Sequence, residues 1–403
     1  MGARRLAAGN PVSGARVVVV GAGIFGVGAA LALRRRGADV LLLDPGPLPE
    51  STDISKAVRL DYGADDAYLA LMESALEGWR RWNAEAQARE GPLFHEVGVT
   101  FLTRSPMAPG GFEHESFQRL TQRGHGPERL DAAAIRARFP AWSTGAYVDG
   151  YWNRLGGYAE SGRVVARLLR EATTAGVRVL ERHTVERLHE QGSRVAGVVT
   201  GEGGVLRADR VVVAAGAWTG HLLPWLGEHL RAVGQPVFHL APADPGPYQA
   251  ACFPVFGADI SGTGYYGFPV NRDGIVKIAN HGVGRVMHPG SETERVVTAD
   301  DEARLRAFLR ETFPGLVDAP LVSTRVCVYG DTRDEHFWIA ADPQREGLVV
   351  AAGGSGHGFK FAPVIGEIIA DASDGVERPD LARFRWRPEV RPGRGEEAAR
   401  HHG

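Results

Sequence analysis

The stretch ARVVVVGAGIFGVGAALALRRRGADVLLLDPG, residues 15–46, decides the fold of this chain. A β-branched run leads into a glycine-rich turn, a segment with helical periodicity follows, and a second apolar run ends at Asp44. This order predicts a strand–helix–strand unit that carries the dinucleotide-binding spacing Gly21, Gly23 and Gly26.

Each position of that spacing has a physical task. Gly21 permits the tight turn, Gly23 lets the backbone approach a pyrophosphate, and Gly26 allows close packing of helix on strand. The helix N-terminus offers its amides to the phosphates, and Asp44 is placed to accept ribose hydroxyls. A glycine-rich turn with a purely structural role is the alternative. The strand, the helix and the acidic residue in register favour nucleotide binding.

A second strand bears on which nucleotide is bound. The run VVVAAGAW, residues 211–218, ends in small residues, so its backbone can lie against a second part of a large cofactor. The nucleotide-binding segments are also interrupted along the chain, whereas a simple nicotinamide enzyme more often keeps them contiguous. Both features favour FAD.

The predicted fold class is α/β (α+β), with a discontinuous Rossmann-like FAD-binding domain and a mixed-sheet substrate domain. A glycine- and proline-rich loop is expected between the strand-like residues 94–103 and the helix-like residues 131–140. The predicted boundaries are 15–90, 151–220 and 325–385 for the FAD-binding domain, 91–150 and 221–324 for the substrate domain, and 1–14 and 386–403 for flexible ends.

Composition narrows the class of protein. The chain has 403 residues, 44% hydrophobic and 23% charged, with a formal net charge of -2. That charge argues against nucleic-acid and membrane partners, and no apolar run approaches a membrane span. Two cysteines and the absence of a continuous apolar leader near the first residue lead us to expect a cytoplasmic protein. We predict no metal site, and a monomer is compatible with the sequence.

Lysine is rare in this chain. Only Lys56, Lys277 and Lys360 interrupt a basic composition that is otherwise all arginine. An ammonium is a compact charge with a tunable pKa, which a guanidinium cannot replace. Chance survival on solvated faces is the alternative, but all three lie in glycine-rich or aromatic contexts. We therefore treat them as candidate site residues.

The segment YYGFPVNRDGIVKIANH, residues 265–281, predicts a hairpin with its turn at Asn-Arg-Asp-Gly. Strand alternation places Lys277 and His281 on one face, and a turn centred on the Arg-Asp pair adds Tyr266 and Phe268 to it. A lysine beside aromatic rings is often a surface cation–π contact, so the pattern alone leaves its role open.

Six motifs together resemble the D-amino-acid-oxidase-like flavoenzymes, and within them the branch of monomeric sarcosine oxidase and N-methyltryptophan oxidase. They extend in order over nearly the whole chain: VRLDYG (58–63), VVVAAGAW (211–218), YYGFP (265–269), VKIANHG (276–282), CVYGDTRDEHFWI (327–339) and GGSGHGFKF (353–361). The resemblance implies a covalently flavinylated FAD oxidase that acts on the C–N bond of an amino acid.

The resemblance also implies roles for residues. It implies that Cys327 forms a thioether to the flavin 8α-methyl, although a free cysteine is most often a small buried hydrophobe. A thiolate is the nucleophile required, so nearby positive charge should help. It further implies that Tyr329 lines the substrate cavity and that Lys277 activates oxygen, with His281 near the same site.

At the substrate, the resemblance implies that Lys360 and Arg59 hold the carboxylate together. Lys56 departs from the family pattern, which has an arginine there and a histidine where this chain has Thr52. The predicted catalytic residues are Lys277, His281, Arg59, Lys360, Tyr266 and Tyr329. The predicted cofactor-binding residues are Gly21, Gly23, Ile24, Phe25, Gly26, Asp44, Ser55, Lys56, Val185, Ala215, Gly216, Trp218, Cys327, Gly353, Gly354, Gly356, His357, Gly358 and Lys360.

The predicted function is oxidation of a secondary, N-methylated or cyclic amino acid. Hydride passes from carbon to flavin N5, an imine forms, and molecular oxygen is reduced to hydrogen peroxide. Two alternatives stay open: a flavin dehydrogenase of the same fold with another electron acceptor, and a flavin-binding protein without catalysis. The substrate side chain is also open, because a bulky or ring-containing substrate suits the sequence as well as sarcosine does.

Overall fold

The computed structural model describes residues 13–46, 50–86, 90–143, 145–390 and 397–403. Within these ranges no helix is long and apolar enough to cross a membrane. The chain divides into two compact units. The first comprises Met1–Ile54, Ser161–Ala232 and Tyr329–Arg394, and the second Ser55–Glu160, Val233–Val328 and Gly395–Gly403.

The strands are numbered in chain order. They are β1 (Arg16–Val20), β2 (Asp39–Asp44), β3 (Lys56–Val58), β4 (Phe94–His95), β5 (Val99–Thr103), β6 (Glu128–Arg129), β7 (Asp149–Asn153), β8 (Gly157–Ala159), β9 (Arg178–Glu181), β10 (Val185–Gln191), β11 (Arg194–Thr200), β12 (Val205–Arg207), β13 (Arg210–Val213), β14 (Leu230–Leu240), β15 (Val255–Ala258), β16 (Tyr265–Gly267), β17 (Val276–Asn280), β18 (Arg285–Val286), β19 (Leu321–Thr332), β20 (Trp338–Ala341) and β21 (Leu348–Ala352).

The α-helices are numbered in the same way. They are α1 (Ile24–Arg35), α2 (Asp66–Ala86), α3 (Phe112–Gln122), α4 (Ala132–Arg138), α5 (Ser161–Thr174), α6 (Thr219–Leu222), α7 (Ile260–Thr263), α8 (Ala299–Thr312) and α9 (Ala362–Asp374).

The first unit is built on a six-stranded sheet in the order β20-β21-β13-β1-β2-β9. The strands pair in parallel except β20, which runs antiparallel to β21. The valines of β1 are almost fully buried, as expected of a central parallel strand covered on both faces. Helix α1 meets α9 where Gly28 faces Gly366, since a side chain at Gly366 would collide with the Gly28 backbone. The predicted strand–helix–strand unit is confirmed.

The second unit is built on a nine-stranded mixed sheet. Its order is β18-β14-β17-β16-β15-β5-β7-β6, and β19 pairs with β14. The β5–β15 pair is parallel, while its neighbours pair antiparallel. One face packs on an aromatic cluster in which Trp142, Phe253, Phe256 and Phe313 meet edge to face. The predicted fold class, with a Rossmann-like domain and a mixed-sheet domain, is confirmed.

The structure differs from the sequence-based expectation at helix α3, which lies where a loop was expected. The glycine- and proline-rich part ends at Gly111, whose extended backbone begins the helix. Phe112, Ser116 and Leu120 then recur every fourth residue, and all three are buried. This short buried stripe is difficult to recognise in the sequence, because glycines and prolines precede it and only two of its three residues are apolar.

Unit boundaries and the chain's end differ as well. The first segment of the first unit ends at Ile54 rather than at residue 90, so α2 belongs to the second unit. Residues 397–403 do not resemble the flexible end that was expected, because Glu397, Ala399 and Arg400 are buried. Of the predicted ends, residues 1–12 and 391–396 lie outside the described residues, while Arg387 in the described part is also buried.

Candidate functional site

The turn after β1 has a shape that only glycine permits. Gly21 has a φ of +101°, and a Cβ there would lie 2.6 Å from the carbonyl oxygen of Ala214. A Cβ at Gly26 would overlap the carbonyl oxygen of Gly21. Backbone therefore lines the turn where side chains would otherwise fill it.

The start of α1 suits an anion. Gly23 is extended and begins the helix, and its first turn, Ile24 to Val27, contains no acidic residue. The Ile24 amide donates to Ser51 Oγ at 2.9 Å. At the end of β2, the Asp44 carboxylate accepts a hydrogen bond from the Gly46 amide at 3.2 Å. An open turn, a helix N-terminus and a carboxylate on the next strand are the parts that an adenine dinucleotide requires, so the residues present fit FAD.

The glycine-rich loop after β21 packs on the end of β19 within the first unit. The Ser355 amide donates to the Gly330 carbonyl at 3.1 Å, and any side chain at Gly356 would collide with the Tyr329 ring. The His357 ring stacks on Phe337 with centroids 4.8 Å apart. These contacts fix residues 353–358, with Tyr329 at their side.

Several other predicted cofactor residues lie around this part of the first unit. A Cβ at Gly358 would lie 3.0 Å from the Phe25 ring. Lys360 is buried in the 3-10 turn that leads into α9. Ala215 and Gly216 follow β13, and a Cβ at Gly330 would come within 3.1 Å of Gly216. These residues form a glycine-lined region of the kind the prediction requires.

The surroundings of two predicted cofactor-binding residues give less support to a role in cofactor binding. Trp218 is 46% exposed, and its ring lies 6.1 Å from that of His221. Val185 begins β10 and packs against the apolar core of the first unit. Core packing is sufficient to explain Val185 without a cofactor.

In the second unit, two of the predicted residues meet at a thiol. Cys327 is 6% exposed, and Lys56 Nζ lies 3.6 Å from its Sγ. An ammonium at this distance favours the thiolate over the neutral thiol. Lys56, the departure from the family pattern, thus supplies the positive charge that was expected beside this cysteine.

The hairpin of β16 and β17 also has the predicted form. Tyr266 pairs with Ala279, so it shares the face that carries Lys277 and His281. Lys277 is 2% exposed; its Nζ donates to the Ser55 carbonyl at 2.6 Å and lies 4.8 Å from the Phe268 ring centroid. The shared face is confirmed, and Lys277 is a buried cation rather than a surface one.

Arg59 is enclosed by aromatic rings and by a carboxylate that was not predicted. Its Nη2 donates to Glu397 Oε1 at 2.9 Å, and its Nη1 donates to the Asp61 carbonyl. The guanidinium carbon lies 5.1 Å from the Tyr62 ring centroid and 5.6 Å from that of Phe112. Burial opposes the charge, but the Glu397 carboxylate leaves the pKa of Arg59 above its ordinary value.

The second oxygen of Glu397 contacts His281. The distance from His281 Nε2 to Glu397 Oε2 is 2.6 Å. Burial lowers the pKa of His281 even though Glu397 opposes that shift, so the neutral ring donates a hydrogen bond from its Nε2–H to the carboxylate. We name Arg59, His281 and Glu397 the carboxylate cluster. Nothing in the composition or periodicity of the chain's last residues pointed to Glu397.

Chemically, the second unit combines a buried ammonium at Lys277, a thiol beside the Lys56 ammonium, and two donors that hold both oxygens of one carboxylate. Among the described residues, no group of three or more His, Cys, Asp or Glu side chains is placed to hold a metal ion. The arrangement is suited to binding a carboxylate and to stabilising negative charge.

Comparison with known proteins gives the family. The family model described as DAO: FAD dependent oxidoreductase matches residues 16–372. The chain belongs to this family. FAD is accordingly the cofactor, and the resemblance noted from the motifs is confirmed.

Individual relatives of this FAD dependent oxidoreductase match over nearly their full length. N-methyl-L-tryptophan oxidase of Salmonella arizonae is 32% identical over 378 residues, which is 92% of this chain and 97% of the relative. Monomeric sarcosine oxidase of a Bacillus species is 29% identical, covering 91% and 94%. Among solved structures, the fructosamine oxidase Amadoriase II of Aspergillus fumigatus superposes with a TM-score of 0.80 at 27% identity, covering 97% and 94%.

Proposed function

We propose that this FAD dependent oxidoreductase is an oxidase of secondary, N-methylated or cyclic amino acids. It converts the C–N bond to an imine and reduces dioxygen to hydrogen peroxide. The observation that carries the proposal is the carboxylate cluster, in which a buried guanidinium and a neutral imidazole grip the two oxygens of one carboxylate. The named activities of the relatives, which act on N-methyl amino acids, support the same substrate class.

FAD, when bound, supplies the two-electron acceptor for the C–H bond beside nitrogen. The residues of the chain bind the substrate and orient it. Arg59 holds the substrate carboxylate, and His281 donates a hydrogen bond to its second oxygen, which fixes the direction of the Cα–H bond. Lys360 is proposed to assist Arg59.

Lys277 serves the second half of the reaction. Its buried ammonium is held by the Ser55 carbonyl, so the charge is positioned before dioxygen arrives. A fixed positive charge in a water-poor environment stabilises the negative charge that develops as dioxygen accepts electrons.

Cys327 is proposed to attach the cofactor covalently. Its buried Sγ beside Lys56 Nζ supports this role. A cytoplasmic location, expected from the two cysteines, is likewise a proposal.

The test is a screen of the purified holoenzyme without oxygen. N-methyl, cyclic and aromatic amino acids are added one by one, and loss of visible flavin absorbance is recorded, followed by peroxide formation on admission of air. Bleaching by at least one amino acid, with rapid recovery in air, is expected. The matched control is the N-methyl amine that lacks the carboxylate.

Two results would contradict the proposal. Bleaching without rapid recovery in air would identify a dehydrogenase with another acceptor. No bleaching by any amino acid would identify a flavin-binding protein without this catalysis.

A further inference from the structure

The segment Glu397–Gly403, which we name the tail, is folded onto the second unit by polar contacts. The His401 amide donates to the His281 carbonyl at 3.0 Å, and Arg400 Nε donates to the Gly282 carbonyl at 3.0 Å. His401 Nδ1 lies 2.9 Å from the Ser261 carbonyl. The tail therefore runs beside the end of β17. It lies next to His281, whose ring contacts the Glu397 carboxylate of the same tail.

Glu397 stands where a ligand carboxylate would stand. It is 5% exposed, and its two oxygens take the Arg59 and His281 donors, one each. Asp61 is the acid nearest to Arg59 in sequence. Its backbone carbonyl accepts a hydrogen bond from Arg59, but its carboxylate accepts one from the Tyr151 hydroxyl. The side-chain charge that faces Arg59 across a hydrogen bond thus comes from the tail.

A second carboxylate cannot join this arrangement. Two carboxylates that share one guanidinium repel each other, and a buried position leaves little water to screen them. Arg59 Nη2 and His281 Nε2, the two donors that would orient a substrate, already bond to Glu397. A substrate carboxylate can bind the carboxylate cluster only if Glu397 leaves it.

The tail is also suited to leave. Apart from Glu397, the buried residues of the tail are Ala399, which has little apolar surface, and Arg400, whose Nε donates to the Gly282 backbone carbonyl. Tethering adds to these contacts, because a tethered ligand acts at an effective concentration in the millimolar range. A tail bound in this way competes with a free ligand but does not block the site permanently.

We propose that the tail is an internal competitor for the substrate carboxylate site, with Glu397 as the group that any carboxylate substrate must displace. The inference rests on the proposed function for the identity of the site. Glu397 thereby lowers the affinity for simple carboxylates and favours substrates whose remaining contacts offset the displacement.

The first experiment measures binding rather than turnover. The full-length holoenzyme is titrated with propionate at constant ionic strength, and flavin absorbance reports binding. Glu397→Gln should lower the dissociation constant for propionate by about tenfold or more, as expected when a tethered competitor is weakened. Propionamide, which has the same shape without the charge, should bind both proteins alike.

The matched control is Glu389→Gln. Glu389 is a surface acid near the same end of the chain, with its side chain 63% exposed. This variant should bind propionate as the parent does. An unchanged dissociation constant in Glu397→Gln, or no propionate binding to either protein, would overturn the inference.

The second experiment uses the unmodified chain and decides the matter even if Glu397→Gln does not fold. Amide hydrogen exchange of the tail is measured with saturating propionate and with propionamide. Propionate should speed exchange at His401, whose amide bonds to the His281 carbonyl, by about tenfold or more, because local opening removes protection. Unchanged exchange under propionate would overturn the inference.

The two proposals fail separately. A protein that releases its tail on binding propionate but oxidises no amino acid refutes only the proposed function. A protein that oxidises N-methyl amino acids while the tail stays protected refutes only the competitor role, and Glu397 is then a fixed part of the site.

Discussion

The dinucleotide turn of the first unit and the carboxylate cluster of the second are determined by the sequence in opposite ways. The turn is determined by residues close in sequence, with Gly21 and Gly26 five positions apart and excluded volume as the constraint. The cluster joins Arg59 to Glu397 across 338 positions and His281 to Glu397 across 116. One site is encoded by local sterics, the other by long-range pairing of charges.

The difference teaches where single substitutions should act. A site fixed by steric contact does not accept an added side chain, because backbone atoms cannot move away from a new Cβ without disturbing the sheet. A charge site can exchange partners, because carboxylates and cations of similar reach replace one another. The following predictions test this distinction, beginning with the largest effect.

Gly26→Ala should be the most damaging change. The new Cβ would overlap the Gly21 carbonyl oxygen, so the start of α1 must shift against the central strand. We expect a loss of unfolding free energy of about 4 kcal/mol or more, in the range reserved for severe core defects. Urea unfolding of the holoenzyme, followed by circular dichroism and flavin fluorescence, measures it.

The control is Gly162→Ala in α5 of the same unit. Its Cβ would meet nothing closer than the Asp53 carbonyl at 3.6 Å. Because alanine favours a helix over glycine, this variant should be as stable as the parent or more so, by up to about 1 kcal/mol. Parent-like stability of Gly26→Ala would show that the turn is not sterically fixed.

Lys277→Met should leave the fold intact and slow one half-reaction. The substitution keeps most of the side-chain volume but removes the ammonium from a position that is 2% exposed. Reoxidation of the reduced flavin by dioxygen should slow by about 10²–10³-fold, the usual cost of losing a preorganised charge. Flavin reduction by substrate should change far less.

Stopped-flow absorbance separates the two half-reactions. Arg272→Met, in the exposed turn of the same hairpin, removes a positive charge nearby and should reoxidise at the parental rate. Reoxidation of Lys277→Met at the parental rate would move the oxygen site to another part of the molecule.

These contrasts explain how much the sequence could predict. The turn and the hairpin face were predictable because Gly21, Lys277 and Tyr266 follow steric and alternation rules that operate within a few residues. The sequence predicted that a positive charge should lie near the Cys327 thiol, but it did not identify Lys56 as its source. Glu397 was not predictable, because a short acidic stretch near the chain's end has no local pattern that signals burial.

Glu113 provides a third test, in the helix that the sequence did not reveal. Burial raises the pKa of Glu113 to about 7, and the nearby Asp259 adds to the shift. Between pH 4.5 and 7 the folded state therefore holds a proton that the unfolded state has lost. The stability that this carboxyl contributes is present below pH 4.5 and is lost as the pH rises through 7.

Glu113→Gln should remove that loss. Relative to the parent, the variant should gain unfolding free energy as the pH rises from 4.5 to 8, by at most about 3 kcal/mol, the equivalent of the pKa shift. Urea unfolding at each pH measures the gain. Glu115→Gln on the same helix is the control, since hydrogen bonding from the Gly110 amide lowers the pKa of that exposed carboxyl. A pH-independent difference for Glu113→Gln would contradict the buried-acid assignment.

The smallest effect concerns Lys56 and the covalent attachment of the flavin. Forming the Cys327 thioether would break a C–H bond of the flavin methyl and the S–H bond and would make one C–S bond; the two protons and two electrons released would convert dioxygen to hydrogen peroxide. The thiolate must be available for this, and Lys56 Nζ lies 3.6 Å from Sγ. A hydrogen bond from a charged donor is worth about 1.5 kcal/mol or more, so Lys56→Met should slow attachment about tenfold. Lys56→Arg should keep most of the rate, because charge rather than shape is needed.

The measurement is the flavin that stays with the protein after acid precipitation, sampled as apoprotein is incubated with FAD in air. Cys327→Ser should retain none, and Cys252→Ser should behave as the parent does. Release of all flavin from the parent would refute the covalent linkage and leave FAD binding untouched. Equal rates for Lys56→Met and the parent would mean that the charge pair contributes nothing to attachment. A tenfold effect reversed by arginine would instead show that a charge site accepts a substitute, which the steric turn at Gly26 cannot do.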